Sequence, residues 1–359
     1  MNILILTGKF GMGHQSAALA LEEHIRSAFP QAQVRVADLV EETFPGKSRG
    51  IYKMFAMVAR HGGPVFNRLY RSLDREGPAM PVPAQGKFLK ALHRLVKETK
   101  PQVVLSTLPL CTRLASEYKG KQGEFQLISC VTDIRCHSEW IAPHVDLYCV
   151  PSQKTFRELV KKGIDPQRVL VTGIPVRPAF HPAGKEEKRE KEVLVMGGGL
   201  GLMPEDPEFY RNLARLPGVH VTVITGKNKE LYAKLQGVHP QVEVLGFTNQ
   251  VDKYLRRASL MLSKPGGLTL FEAIADQVPL FAFHPTLEQE KENGAFLKEE
   301  KIGLVLPENP KAMSWLIEDA LCQKGALEEM RRNMARLQAG MDLGKLMDVL
   351  EAPSVRKAG

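Results

Sequence analysis

Short apolar runs alternate with amphipathic stretches along this chain, and the alternation stops once and then restarts. The first series opens with Ile3–Thr7, which reads as a buried strand, then a glycine-containing turn. An amphipathic helix follows through Ser16, Ala17, Leu19, Ala20, Leu21, Ile25 and Phe29. Val34–Ala37 is a second strand, and Leu89–Thr99 reads as a helix. Gln102–Ser106, Phe125–Val131, Leu147–Val150 and Val169–Thr172 add strands, with a helix at Thr155–Lys162 stopped by Gly163. Strands that alternate with helices pair in parallel, because each crossover returns the chain to the starting edge of the sheet.

Residues 181–192 (HPAGKEEKREKE) are charged and short of large apolar side chains, as in an exposed linker. Beyond them the strands resume at Val193–Met196, Val219–Thr225, Val242–Leu245, Leu260–Leu262 and Leu280–Phe283. The pattern predicts an α/β protein of two Rossmann-like, doubly wound lobes, at residues 1–180 and 193–326, with a cleft between them. A chain of 359 residues suits two such domains.

A hydrophobic fraction of 43% and a charged fraction of 25% are ordinary globular values, which argues against disorder. The first residues run straight into a strand, so no secretory leader is expected. No apolar run approaches the roughly 20 residues that span a bilayer, so the protein is expected to be soluble or peripheral. Cys111, Cys130, Cys136, Cys149 and Cys322 are odd in number and include no Cys-x-x-Cys pair. They are expected to be reduced and to form neither a disulfide framework nor a zinc site.

The formal charge of +9 is concentrated. Twelve cations and three anions fall between Phe44 and Lys100, so this segment holds the whole excess and the remainder balances at 37 against 37. Ile51, Met54, Phe55 and Val58 recur there at helical spacing, as do Phe66, Leu69, Tyr70 and Leu73, with a break at residues 61–64 (HGGP). Two basic amphipathic helices suit an anionic membrane surface, with Arg60, Phe66, Arg68, Tyr70 and Arg71 as candidate contacts. The same stripes also suit a core-facing helix whose charges are simply solvated. Nucleic acid is disfavoured, since no zinc finger or RNA-reading motif accompanies the charge.

Three glycine turns follow strands, where helix N-termini offer unpaired backbone N–H groups. In residues 263–272 (SKPGGLTLFE) two glycines admit a close ligand and a helix starts near Leu268. That N-terminus suits a diphosphate, Lys264 adds charge, and Glu272 one turn in suits ribose hydroxyls. The turn Gly11-Met12-Gly13-His14 places a histidine at a strand end, where it can serve as a base. The turn Gly197-Gly198-Gly199-Leu200-Gly201 fits a ligand-bordering loop and a plain tight turn equally well. A dinucleotide site using Gly8, Gly11, Gly13 and Asp38 is disfavoured, because the spacing is Gly-x-x-Gly-x-Gly.

Together four motifs resemble one family. These are FGMGH (residues 10–14), TDIRCHSEW (132–140), TGIPVRPAF (172–180) and SKPGGLTLFEA (263–273), with Gln289, Glu290 and Asn293 beyond. The chain is similar over most of its length to the diacylglycerol glycosyltransferases. That family includes the monogalactosyldiacylglycerol synthases and processive diacylglycerol glucosyltransferases, relatives of the lipid-II-forming N-acetylglucosaminyltransferase. Leu287-Glu288, Lys291 and Ser259 depart from the family pattern, which bears on the donor sugar more than on the reaction.

The resemblance implies the GT-B architecture, a UDP-sugar donor, inversion, and no cofactor or required metal. It also implies diacylglycerol or a related lipid acceptor, docking through residues 44–100, and a place on the cytoplasmic face of the membrane. Residues 327–359 are implied to return as helix to the N-terminal lobe. His14 is the implied base, with Asp133 the second catalytic candidate and His137 and Trp140 on the acceptor side. Gly13, Gly198, Gly199, Lys264, Gly266, Gly267, Thr269, Glu272, Gln289 and Glu290 are the implied donor contacts. A polyprenyl-linked acceptor and a non-catalytic UDP-sugar sensor are the rival readings.

Overall fold

The structure, a computed structural model, describes residues 1–61, 82–182, 191–323 and 325–352. It comprises two compact units: Met1–Pro178 joined by the stretch that begins at Gly340, and Ala179–Ala339.

In the first unit six strands run parallel: β1 (Asn2–Thr7), β2 (Gln33–Asp38), β3 (Val103–Ser106), β4 (Gln126–Cys130), β5 (Leu147–Val150) and β6 (Val169–Val171). Their order is β2-β1-β3-β4-β5-β6. Successive side chains of a strand point to opposite faces. Leu4 and Leu6 therefore join one buried cluster with Leu92 and Trp140, while Ile3 and Ile5 join another with Leu21 and Ile25. Helices cover both faces, which is why the strand reads as an unbroken apolar run.

Those helices are α1 (Gly13–Ala28), α2 (Leu39–Thr43), α3 (Ser48–His61), α4 (Gln85–Thr99), α5 (Pro109–Gln122) and α6 (Gln153–Lys161). The basic segment 44–100 is not a single insertion. Its last part, α4, buries Phe88, Ala91, Leu92 and Leu95 and is a crossover helix of the sheet. On α3 the expected apolar stripe divides. Of its residues Ile51 packs on the core and Met54 is 61% exposed; outside it, Tyr52 packs on the core and Met57 is 60% exposed. Arg60 lies on the last turn of α3, while Phe66, Arg68, Leu69, Tyr70, Arg71 and Leu73 fall outside the described residues.

The second unit repeats the plan with β7 (Glu192–Met196), β8 (His220–Ile224), β9 (Val242–Leu245), β10 (Leu260–Ser263), β11 (Leu280–Ala282) and β12 (Gly303–Val305). All are parallel, in the order β12-β11-β10-β7-β8-β9. Its helices are α7 (Pro207–Ala214), α8 (Lys229–Leu235), α9 (Val251–Arg257), α10 (Gly267–Ala275), α11 (Glu288–Glu299), α12 (Pro310–Cys322) and α13 (Ala326–Ala339).

The expected return of residues 327–359 to the first lobe needs correcting. Helix α13 packs on α10 and α12 and belongs to the second unit. Only α14 (Gly344–Glu351) belongs to the first, where Leu346 and Leu350 join the cluster around Ile3 and Ile5. The Asp342 N–H also donates to the Val171 carbonyl of β6 at 3.1 Å.

Each strand order reverses beside the unit's first strand, between β1 and β3 and between β7 and β10. In open parallel sheets ligands bind beyond the carboxyl ends of the strands at such points. Both reversals coincide with glycine turns singled out in the sequence.

Candidate functional site

At the first reversal, β1 delivers the turn that starts α1, and β3 delivers Thr107. His14 is the second residue of α1 and half-buried. Its Nδ1 lies 2.9 Å from the Thr107 carbonyl oxygen and 2.8 Å from Thr132 Oγ1. Thr107 Oγ1 donates back to the His14 carbonyl at 2.9 Å and lies 2.9 Å from Thr7 Oγ1. A backbone carbonyl can only accept, so Nδ1 carries the imidazole proton and Nε2 holds the lone pair. That is the tautomer a base needs.

Burial lowers the pKa of His14 below 6.5, while the Asp133 carboxylate and the Thr107 carbonyl oppose that shift. Burial thus favours the neutral ring, and Asp133 favours the cation.

The loop after β4 brings Thr132 and Asp133 to this point. It is held from behind by α6: Thr155 Oγ1 donates to the Ile134 carbonyl at 2.6 Å, and Glu158 accepts the Cys136 N–H at 2.9 Å. Trp140 Nε1 donates to Asp133 Oδ2 at 2.9 Å, and its ring is tilted against His14 with centroids 6.4 Å apart. His137 and Trp140, expected on the acceptor side, are buried, at 2% and 0% exposure. Trp140 orients Asp133, and His137 Nδ1 accepts the Glu139 N–H, capping a 3-10 turn. Asp38 is no ribose-binding acid: its Oδ1 accepts from the N–H groups of Val40 and Glu41 and caps α2.

At the second reversal the turns after β7 and β10 meet. Among the described residues, a Cβ on Gly198 would have one near neighbour, Lys264 Cε at 3.4 Å. Gly197 and Gly201 are glycines for packing, since a Cβ on either would approach backbone atoms within 2.3 Å and 2.2 Å. Gly226, after β8, has no room because of the carbonyls of Gly198 and Gly199. The Gly199 carbonyl also accepts the Lys227 N–H at 3.1 Å. Of the two readings of this turn, tight packing explains its ends and proximity to Lys264 explains its middle.

Helix α10 starts at Gly267 with Gly266 as its N-cap, and no side chain caps it. The N–H groups of Gly267, Leu268 and Thr269 thus have no intrahelical partner. Glu272 lies one turn further along, half-buried. Lys264 Nζ pairs with Glu290 Oε1 at 3.1 Å, and Asn293 Nδ2 donates to the Pro265 carbonyl at 2.9 Å. Helix α11 therefore carries Glu290 and Asn293 against the turn, with Gln289 half-buried beside them. Sequence reasoning missed Thr107 and Thr132 as partners of His14. They lie 93 and 118 residues away; Thr132 opens one of the four motifs, while the one signal of Thr107 is its place just after a buried strand.

Comparison with known proteins covers both units. Residues 14–176 match the monogalactosyldiacylglycerol synthase family, and residues 193–343 match the glycosyltransferase family 28 C-terminal domain. A processive diacylglycerol beta-glucosyltransferase of Bacillus subtilis is 29% identical over 93% of this chain and 91% of its own. Among solved structures, the spinosyn rhamnosyltransferase SpnG superposes with a TM-score of 0.67 at 14% identity, covering 98% of this chain and 100% of its own. Acinetobacter baumannii MurG superposes with a TM-score of 0.61 at 15% identity, over 98% of each chain. At such identities the structural likeness shows the GT-B fold.

Proposed function

Because the chain belongs, through the models that match its two halves, to the diacylglycerol glycosyltransferases, we propose that it moves a hexose from a UDP-sugar to diacylglycerol at a membrane surface. The donor is UDP-glucose or UDP-galactose, and the transfer inverts the anomeric centre. The observation that carries the mechanism is the tautomer of His14. Its Nε2 takes the proton of the lipid hydroxyl as the hydroxyl oxygen attacks the anomeric carbon and the bond to UDP breaks. The proton ends on His14, where Asp133 stabilises the imidazolium, itself held by Trp140.

Departing UDP is received by the free N–H groups at the start of α10 and by Lys264. Glu290 holds Lys264 in place, Glu272 binds the ribose, and Gln289 with Glu290 orients the sugar. This arrangement supplies the leaving-group charge from the chain itself and requires no metal.

Helix α3 supports the membrane reading. Its exposed side presents Met54 and Met57 beside Lys53, in a segment that holds the whole net positive charge. Apolar side chains among cations suit anionic lipid. Among the described residues no helix is long and apolar enough to cross a membrane.

The test is UDP release in vesicles of diacylglycerol plus anionic lipid, across a panel of UDP-sugars. Release with one hexose donor, dependent on diacylglycerol, is the expected result. Release only with a polyprenyl-linked acceptor, or UDP binding with no release, would overturn the proposal.

A further inference from the structure

One phenol joins the lipid-facing helix to the turn that carries the base. Tyr52 of α3 donates from Oη to Asp38 Oδ1 at 2.6 Å. Its ring meets Phe10 edge-on with centroids 5.0 Å apart, and Phe55, one turn along α3, meets Phe10 at the same distance. A Cβ on Gly8 would lie 3.3 Å from the Tyr52 hydroxyl. So the hydroxyl and the two rings from α3 lie against Gly8 and Phe10, and Asp38, which the hydroxyl holds, faces Lys9. His14 follows four residues after Phe10, across Gly11 in the left-handed region at φ +79°.

Asp38 is itself fixed. Its Oδ1 caps α2 with two bonds of 3.1 Å, and its buried Oδ2 has Lys9 Nζ at 3.7 Å and no hydrogen bond. The turn is therefore fastened through the side chains of Lys9 and Phe10, and the fastener sits on the helix whose far side exposes Met54 and Met57. A glycine turn with few contacts of its own takes its order from what it leans on.

We propose that Tyr52 is a positioning residue, which passes the seating of α3 on a lipid surface to the turn that carries His14. This rests on the membrane-surface transfer reaction proposed above. Tyr52 does not touch the reacting atoms; it acts by packing on Phe10 and by holding Asp38, which faces Lys9.

The experiment uses the full chain with Tyr52→Phe, which keeps the ring contacts and removes the hydrogen bond to Asp38. Hydrogen–deuterium exchange across residues 8–13 and steady-state turnover are measured with and without vesicles of diacylglycerol plus anionic lipid. In the wild type, exchange should slow when vesicles are added. In Tyr52→Phe it should be about tenfold faster and no longer slow with vesicles, since a hydrogen bond to a charged group is worth about that factor. Turnover should fall several-fold, with the donor KM within about twofold and vesicle sedimentation unchanged, the signature of a group that matters after binding.

Phe10→Leu loosens the same turn from the other side, and combined with Tyr52→Phe it should add little. Wild-type exchange and turnover in Tyr52→Phe would overturn the proposal. So would a loss of vesicle binding that accounts for the whole loss of turnover. If the wild type transfers no sugar, the transfer reading fails and the exchange data alone decide the role of Tyr52. If Tyr52→Phe does not fold, Phe10→Leu carries the same comparison.

Discussion

Nδ1 of His14 stands 2.9 Å from the carbonyl oxygen of Thr107, and this contact spans the point where the first sheet reverses its strand order. Parallel sheets leave a crevice at such reversals because neighbouring strands lead to opposite faces. Here a hydrogen bond spans the reversal and selects the tautomer, so one contact fixes both the position of the His14 ring and which of its nitrogens can accept a proton.

Activity should follow the protonation of His14. Burial lowers its pKa, so the neutral, competent form persists to more acidic pH than 6.5. The acid limb of kcat/KM should therefore fall below 6.5. Asp133 raises the pKa, so Asp133→Asn should move that limb to still lower pH while reducing kcat, because the imidazolium loses its counterion. His14→Ala should cost about 10²- to 10⁴-fold in turnover. A limb that stays in place in Asp133→Asn would argue against coupling between the two.

The two turn glycines should fail differently. Gly226→Ala forces a Cβ to within 2.8 Å of the Gly198 carbonyl oxygen and should destabilise the second unit in thermal melting. Gly198→Ala meets only the Lys264 side chain, though at φ +66°, where alanine costs about 1–2 kcal/mol. Its main effect should be a raised KM for the sugar nucleotide. Equal melting losses in both variants would contradict this distinction.

Much of this architecture was legible before any coordinates. Strands such as β1, β3 and β10 are nearly unbroken apolar runs, and the turns after β1, β7 and β10 are marked by glycine. Helix α5 was not, because it buries Cys111, Thr112 and Ser116 with its leucines and so shows no clean apolar stripe. The three-residue β12 is too short for any periodicity. Helix α13 stays with the second unit because it packs on α10 and α12, contacts that its own sequence does not announce. Within the site, His14 and Asp133 stood out by residue type. The hydrogen bonds that orient them come from Thr107 and Trp140, whose roles depend on long-range pairing.

Helix α14 should be essential to the first unit. Leu346 and Leu350 are 0% and 5% exposed against the β1 face. Truncating a buried leucine to alanine costs about 2–5 kcal/mol. Leu346→Ala should lower the melting temperature, whereas Lys345→Ala, on the exposed side, should not. Matching melting curves would show that the return of the chain is dispensable.

The outer face of α3 should govern lipid contact. Met54→Ser with Met57→Ser alters two side chains that are 61% and 60% exposed, so folding should be unaffected. Sedimentation with anionic vesicles should weaken, while the affinity for UDP in solution should not change. Unaltered sedimentation would remove α3 from the docking surface.

The central claim is a single displacement at the anomeric carbon by a diacylglycerol hydroxyl. It is tested most directly by isolating the glycolipid formed from an α-linked UDP-hexose and diacylglycerol in anionic vesicles, and reading its anomeric coupling by NMR. The expected product is a β-hexosyl diacylglycerol formed in step with UDP. An α-linked product, or UDP released without glycolipid, would contradict the account.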